Sequence, residues 1–132
     1  MIPGRDRGEG MPAPRSGLTL LFRAALVAAT IAIAWFAFTP APPAGIERLW
    51  DKLQHAFAFL VLSALLDLAM PGRGAGFKIA VALGYGALIE AVQSQLPWRD
   101  ASLRDLAADL LGIGAYFFAL RPLAAMPRRC RS

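Results

Sequence analysis

Eight polar side chains in an otherwise apolar chain have the types and spacing to do chemistry: Asp51, Lys52, His55, Glu90, Gln93, Arg99, Asp105 and Asp109. An imidazole beside carboxylates can move a proton as a general base or acid. A guanidinium such as Arg99 grips a phosphate or carboxylate through paired N–H bonds, and Lys52 can add a second positive charge. His55, Glu90 and Asp109 are also the donor types of a carboxylate–histidine metal site. On helices, Asp51 and His55 share a face, as do Glu90 and Gln93, and as do Asp105, Asp109 and Gly112, because residues three or four apart are neighbours. The single histidine excludes chemistry that needs paired histidines. No Gly-x-Ser-x-Gly nucleophile elbow and no His-Glu-x-x-His metal helix is present.

The elements that carry these residues belong in a membrane. The 132-residue chain is 57% hydrophobic and 17% charged, with a mean hydropathy of +0.49, whereas soluble domains have about a quarter of their residues charged. The formal net charge of +5 does not point to nucleic acid, because the basic residues lie in tails and short loops rather than on one face. The one cysteine, Cys130, excludes an internal disulfide and a cysteine-based metal centre. It reads as an exposed thiol, with lipidation the alternative.

Taken in order, Met1 to Gly17 reads as a disordered tail of glycine, proline and mixed charge. Leu18 to Phe38 is the first apolar run, long enough as a helix to cross about 30 Å of hydrocarbon. Arg23 can snorkel to the headgroups and Trp35 suits the opposite interface. A cleaved signal peptide is the competing reading of this run. Pro40, Pro42 and Pro43 then make a stiff connection. A helical repeat of apolar residues begins at Ile46 and is expected to end before Pro71-Gly72, with Asp67 near that end in reach of water, Arg73 or Lys78. Pro71 to Gly76 is a turn, Phe77 to Leu96 the third span, and Leu103 to Leu120 the fourth. The fourth opens on Ser102-x-x-Asp105, which has the spacing of a capping box. The expectation is an all-α integral membrane bundle of four transmembrane helices over residues 18–121, with a basic tail over 122–132.

Counting Lys and Arg sets the orientation. Arg5, Arg7, Arg15, Arg23, Arg73, Lys78, Arg121, Arg128, Arg129 and Arg131 fall on one side, and Arg48, Lys52, Arg99 and Arg104 on the other. That bias places both termini in the cytoplasm. Glu47, Asp51, His55, Glu90, Asp100, Asp105 and Asp109 then gather at the outer leaflet. There they would form an outward polar pocket with Arg99 at its mouth.

Each of these residues also has a bland reading. Asp51 and Asp105 can simply favour helix N-termini, and His55 can be a plain hydrogen-bonding partner of Asp51 or Glu90. Asp100 and Arg104 read as solvated interface residues. Gly84, Gly86, Gly112 and Gly114 read as close-packing points, and Ala24, Ala28 and Ala32 as a surface on which helices associate.

The ordered set Asp51-Lys52-x-x-His55, Glu90-x-x-Gln93, Arg99, Asp105, Asp109 and Gly112 resembles the VanZ-like family of small membrane proteins, named for a member linked to resistance to the glycopeptide teicoplanin. The resemblance covers Asp51 to Gly114, about half the chain. It departs from the family pattern at Asp109, where asparagine is common. A carboxylate accepts but does not donate unless protonated, so Asp109 would be neutral or lie beside a cation such as Arg99 or Lys52. The resemblance implies a multi-pass protein of a bacterial inner or plasma membrane, acting at the outer envelope. Its ligand would be a membrane lipid or a lipid-linked or headgroup-bearing envelope component, with antibiotic resistance as one outcome. The alternatives are a lipid-acting enzyme with His55 or Glu90 as base, and a structural subunit that assembles with a second copy or a partner membrane protein. No cofactor and no nucleic acid are expected.

Overall fold

The computed structural model describes residues 15–40, 47–99 and 101–126. Four helices, α1 (Arg15–Phe38), α2 (Glu47–Ala69), α3 (Ala75–Gln93) and α4 (Leu103–Gly114), run up and down in turn. α4 continues as a π-helical segment, Ala115–Leu120, and a last turn α5, Arg121–Ala125. There is no strand among the described residues. Spans Gly17–Phe38, Trp50–Ala69, Ala75–Gln93 and Leu103–Ala125 are each long and apolar enough to cross a membrane. The expected all-helical four-span architecture is what forms.

Several boundaries differ from the sequence reading. Helix α1 begins at Arg15, so residues 15–17 are helical; Met1 to Pro14 lie outside the described residues. The start expected at Ile46 and most of the proline connection also lie outside them, as do Asp100 and residues 127–132. Helix α3 ends at Gln93 rather than Leu96, because Gln95 N–H and Leu96 N–H donate three residues back, to Val92 and Gln93, and tighten the chain into a turn. The last span passes Leu120 and reaches Ala125.

Pro122 accounts for the π segment. A proline has no N–H to donate and its ring crowds the carbonyl four residues back. The chain widens just ahead of it, and Arg121 N–H donates to Tyr116 O, five residues earlier. The widening has a use. Residues five apart are turned about 140° from each other on an α-helix, but the π turn stacks Tyr116 and Arg121 so that both reach Asp67.

Helix α2 is the centre of the bundle. Phe59, Leu62 and Leu66 are buried against Ala82 and Ile89 of α3, Ile113 of α4, Phe117 of the π segment and Ala37 of α1. In lipid such packing is stabilised by close van der Waals fit rather than by release of water. The closest approach is between α2 and α4 at Gly112, where an added Cβ would overlap the Ala56 carbonyl oxygen and lie 2.9 Å from Leu60 N. Gly86 of α3 is the second such point, facing the Asp109 carboxylate and the Phe59 ring. Gly84 has open space around it and Gly114 only an ordinary contact, so two of the four glycines are packing points and two are not. Ala24, Ala28 and Ala32 are exposed on the outside of α1.

Candidate functional site

Five of the eight candidates separate into two groups with different work, those that close helix ends and a pair that does not. Gln93 and Arg99 close the end of α1. The last carbonyls of a helix have no partner within it, and in hydrocarbon an unpaired backbone group is costly. Arg99 Nη2 donates to Phe36 O at 2.8 Å and to Thr39 O at 2.9 Å, and its Nε adds a bond to Thr39 O at 3.2 Å. Gln93 Nε2 donates to Ala37 O at 2.9 Å, and Trp98 Nε1 to Phe38 O at 3.2 Å. Four consecutive carbonyls are thus satisfied by α3 and the turn after it, and the guanidinium lies where the helix dipole favours positive charge. Arg99 does not pair with the carboxylates as expected; the α1 carbonyls hold it. Trp98 is part of the same cap.

An Arg99→Lys variant is therefore expected to lose about 1–3 kcal/mol of stability, since one ammonium cannot reproduce the fork that spans Phe36 and Thr39. Thermal unfolding in detergent, monitored by circular dichroism, checks this; an unchanged midpoint would contradict the capping role.

Glu90 performs a similar task at α4. Ser102 is the N-cap and its Oγ accepts from Arg104 N–H at 3.2 Å. In the expected capping box Asp105 would reach back to the Ser102 N–H. Glu90 Oε2 of α3 takes that N–H instead, at 3.2 Å, so the box is completed across two helices. Its other oxygen, Oε1, is buried without a partner among the described residues.

The second group is His55 with Asp109. His55 Nδ1 and Asp109 Oδ1 are 3.1 Å apart, joining α2 to α4, and Asp109 is 1% exposed. The partner of Asp109 is thus His55, not Arg99 or Lys52, and the partner of His55 is neither Asp51 nor Glu90. With Asp109 ionised, the imidazole donates from Nδ1. Asp109 Oδ2 is buried beside Gly86, without a partner among the described residues. Asp51 and Asp105 are half-buried and lie close enough to act electrostatically on His55. Neither they nor Lys52 make a side-chain hydrogen bond or ion pair among the described residues. The arrangement can hold and exchange a proton, and it presents carboxylates to whatever enters that end. Among the described residues no three His, Cys, Asp or Glu side chains form a metal-binding group, because Glu90 is turned to α4 instead of joining His55 and Asp109.

A third cluster, at the opposite end, was not among the candidates. Asp67 Oδ1 pairs with Lys78 Nζ at 2.5 Å; Asp67 Oδ2 accepts from Tyr116 OH at 3.0 Å and from Arg121 Nε at 2.9 Å. Lys78 Nζ also donates to Asp67 O, and Arg23 Nε to Ala69 O, which closes the end of α2. Of water, Arg73 and Lys78, the partners in reach by sequence, Lys78 is one that Asp67 meets. Arg73 instead lies over the Phe77 ring at 5.0 Å. The helical repeat did show Asp67 near a helix end, but nothing in it pointed to Tyr116 or Arg121.

These bonds bring the start of α1, the end of α2, the start of α3 and the end of α4 to one face. The candidate residues occupy the other. Fold and polar ends together define a multi-pass helical membrane protein. Compared with known proteins, the chain matches no family model, no curated protein and no solved structure.

Proposed function

We propose that the chain is a VanZ-like protein of a bacterial plasma membrane, with both termini in the cytoplasm, that binds a headgroup or lipid-linked ligand of the envelope at its outward end. The observation that carries this reading is the His55–Asp109 pair, a buried polar contact that closes no helix end and leaves Asp109 Oδ2 without a partner among the described residues. The Lys and Arg asymmetry supports the orientation. The surroundings also favour one kind of ligand. Arg99 is held by α1 carbonyls, so Asp51, Glu90, Asp105 and Asp109 outnumber Lys52 around the opening. A headgroup with a positively charged amine suits that balance better than a bare phosphate. Protection against a glycopeptide antibiotic would follow from occupancy of this end.

A second reading draws on Glu90, Gln93 and Arg99, all of which bond backbone at helix ends. The polar set would then lock the bundle together, and function would lie with a partner protein or a second copy.

Native mass spectrometry of the detergent-extracted protein separates the two. Wild type would be compared with Asp51→Asn and Asp109→Asn after exposure to phosphatidylethanolamine or phosphatidylglycerol. The expected result is a phosphatidylethanolamine adduct on wild type that both folded variants lose. No adduct on any form would move the weight to the locking role.

A further inference from the structure

Three buried side-chain polar atoms lack a partner among the described residues: Glu90 Oε1, Asp109 Oδ2 and Ser63 Oγ. Buried polar atoms are satisfied in nearly all folded proteins, and those that protein groups do not satisfy are where internal water binds. Their placement follows a line. Glu90 and Asp109 belong to one polar end, and Ser63, fully buried, lies on α2 between that end and Asp67. Along α2 the residues four apart are Asp51, His55, Phe59, Ser63 and Asp67. Four of the five are polar and they form one ridge winding along the helix. From His55 to Asp67 it rises about 18 Å, most of the thickness of the hydrocarbon layer.

We propose that the bundle conducts protons along this ridge, from the His55–Asp109 pair past the Phe59 ring to Ser63 and Asp67. Asp51, Asp105 and Glu90 surround the entrance, with Lys52 as the cation nearby. A proton enters by forming an O–H bond at the bare Asp109 oxygen or an N–H bond on His55, and leaves by breaking that bond to a neighbouring water. No electrons are transferred, and the charge moves down the membrane potential. Phe59 is the gate: its ring is buried, and it packs at Gly86 beside the Asp109 carboxylate. On the ridge it is the one apolar step, between the Asp109 end and Ser63, and such constrictions close by excluding water. Beyond it, Ser63 Oγ can relay a proton because a hydroxyl both donates and accepts. At the far end the Asp67 oxygens already accept from Lys78, Tyr116 and Arg121. An arriving proton is therefore passed to water rather than held. The two cations facing one carboxylate reinforce this.

The test is proton flux into liposomes carrying the full chain, with internal pyranine as the pH reporter and a potassium–valinomycin potential as the driving force. Phe59→Ala is expected to acidify the interior faster than wild type, and adding Asp109→Asn or Ser63→Ala to it should return the rate to that of protein-free vesicles. Elution as a single folded species qualifies each variant; where Asp109→Asn fails this, the Ser63→Ala combination decides. The proposal is overturned if Phe59→Ala acidifies no faster than protein-free vesicles, if the second substitution leaves its rate unchanged, or if entrapped calcein leaks along with the protons. The outcome is independent of whether the outward end binds a lipid.

Discussion

A Gly112→Ala variant is expected to lose about 3 kcal/mol of stability, enough to unfold much of the bundle under detergent conditions that leave the wild type intact. The methyl group would need the place of the Ala56 carbonyl oxygen and would lie 2.9 Å from Leu60 N, both backbone atoms of α2. A flexible side chain could swing away, but a helix backbone moves only as a whole. Separating α2 from α4 would also draw His55 off Asp109 and disturb the packing of Ile113 and Phe117. Gly84→Ala is the control. Nothing lies within 4 Å of its added methyl, and alanine in a helix is favoured over glycine by about 0.5–1 kcal/mol, so that variant should be at least as stable as wild type. Titration of each folded protein with dodecyl sulfate gives the comparison. Equal loss in both variants would mean that the α2–α4 contact is looser than described.

Asp67→Asn is the other substitution with a large expected effect. Lys78 is 1% exposed and has its ammonium against Asp67 Oδ1. Removing one partner of a buried pair leaves the other charge uncompensated, at about 3–5 kcal/mol. Arg121 is exposed and can turn to water, but Lys78 has no such freedom. The double variant Asp67→Asn, Lys78→Met should recover most of the loss, because it removes the stranded ammonium. The same dodecyl sulfate titration reads both. A double variant as unstable as the single one would show that Tyr116 and Arg121, rather than Lys78, depend on the carboxylate.

What could be read in advance follows from the range of the forces involved. Four apolar runs of roughly the hydrocarbon thickness announce four spans whatever their packing, and Ser102 announces the start of α4 because a cap acts within three residues. The capping role of Arg99 is not legible in the sequence, for the opposite reason. Its partners are carbonyl oxygens, which every residue carries, and they lie 60 and 63 residues away in the chain. Asp67 was placed at a helix end, but Tyr116 and Arg121 come to it only through the π turn that Pro122 imposes 55 residues later. The intervals linking Glu90, Gln93 and Arg99 are part of the spacing on which the proposed VanZ-like reading rests. They match what two neighbouring helix ends require: Glu90 reaches the first N–H of α4, while Gln93 and Arg99 reach the last carbonyls of α1. Spacing of this kind can be maintained by architecture alone. The His55–Asp109 pair, by contrast, closes no helix end.

The cap on α1 also dictates an order of events during synthesis. Only Ala37 among its described side chains is buried, and the groups that hold its tip come from Gln93, Trp98 and Arg99. At about 5–20 residues per second, a ribosome needs several seconds to make the intervening chain. Throughout that delay the first span sits in the bilayer with the carbonyls of its tip turned to interfacial water. The tip is fastened only when the turn after α3 emerges. A chain stopped short of Arg99 would leave the first span resting on α2 through Ala37 and the Arg23–Ala69 bond with its last carbonyls uncapped, so the closing of that tip is made from the far half of the message.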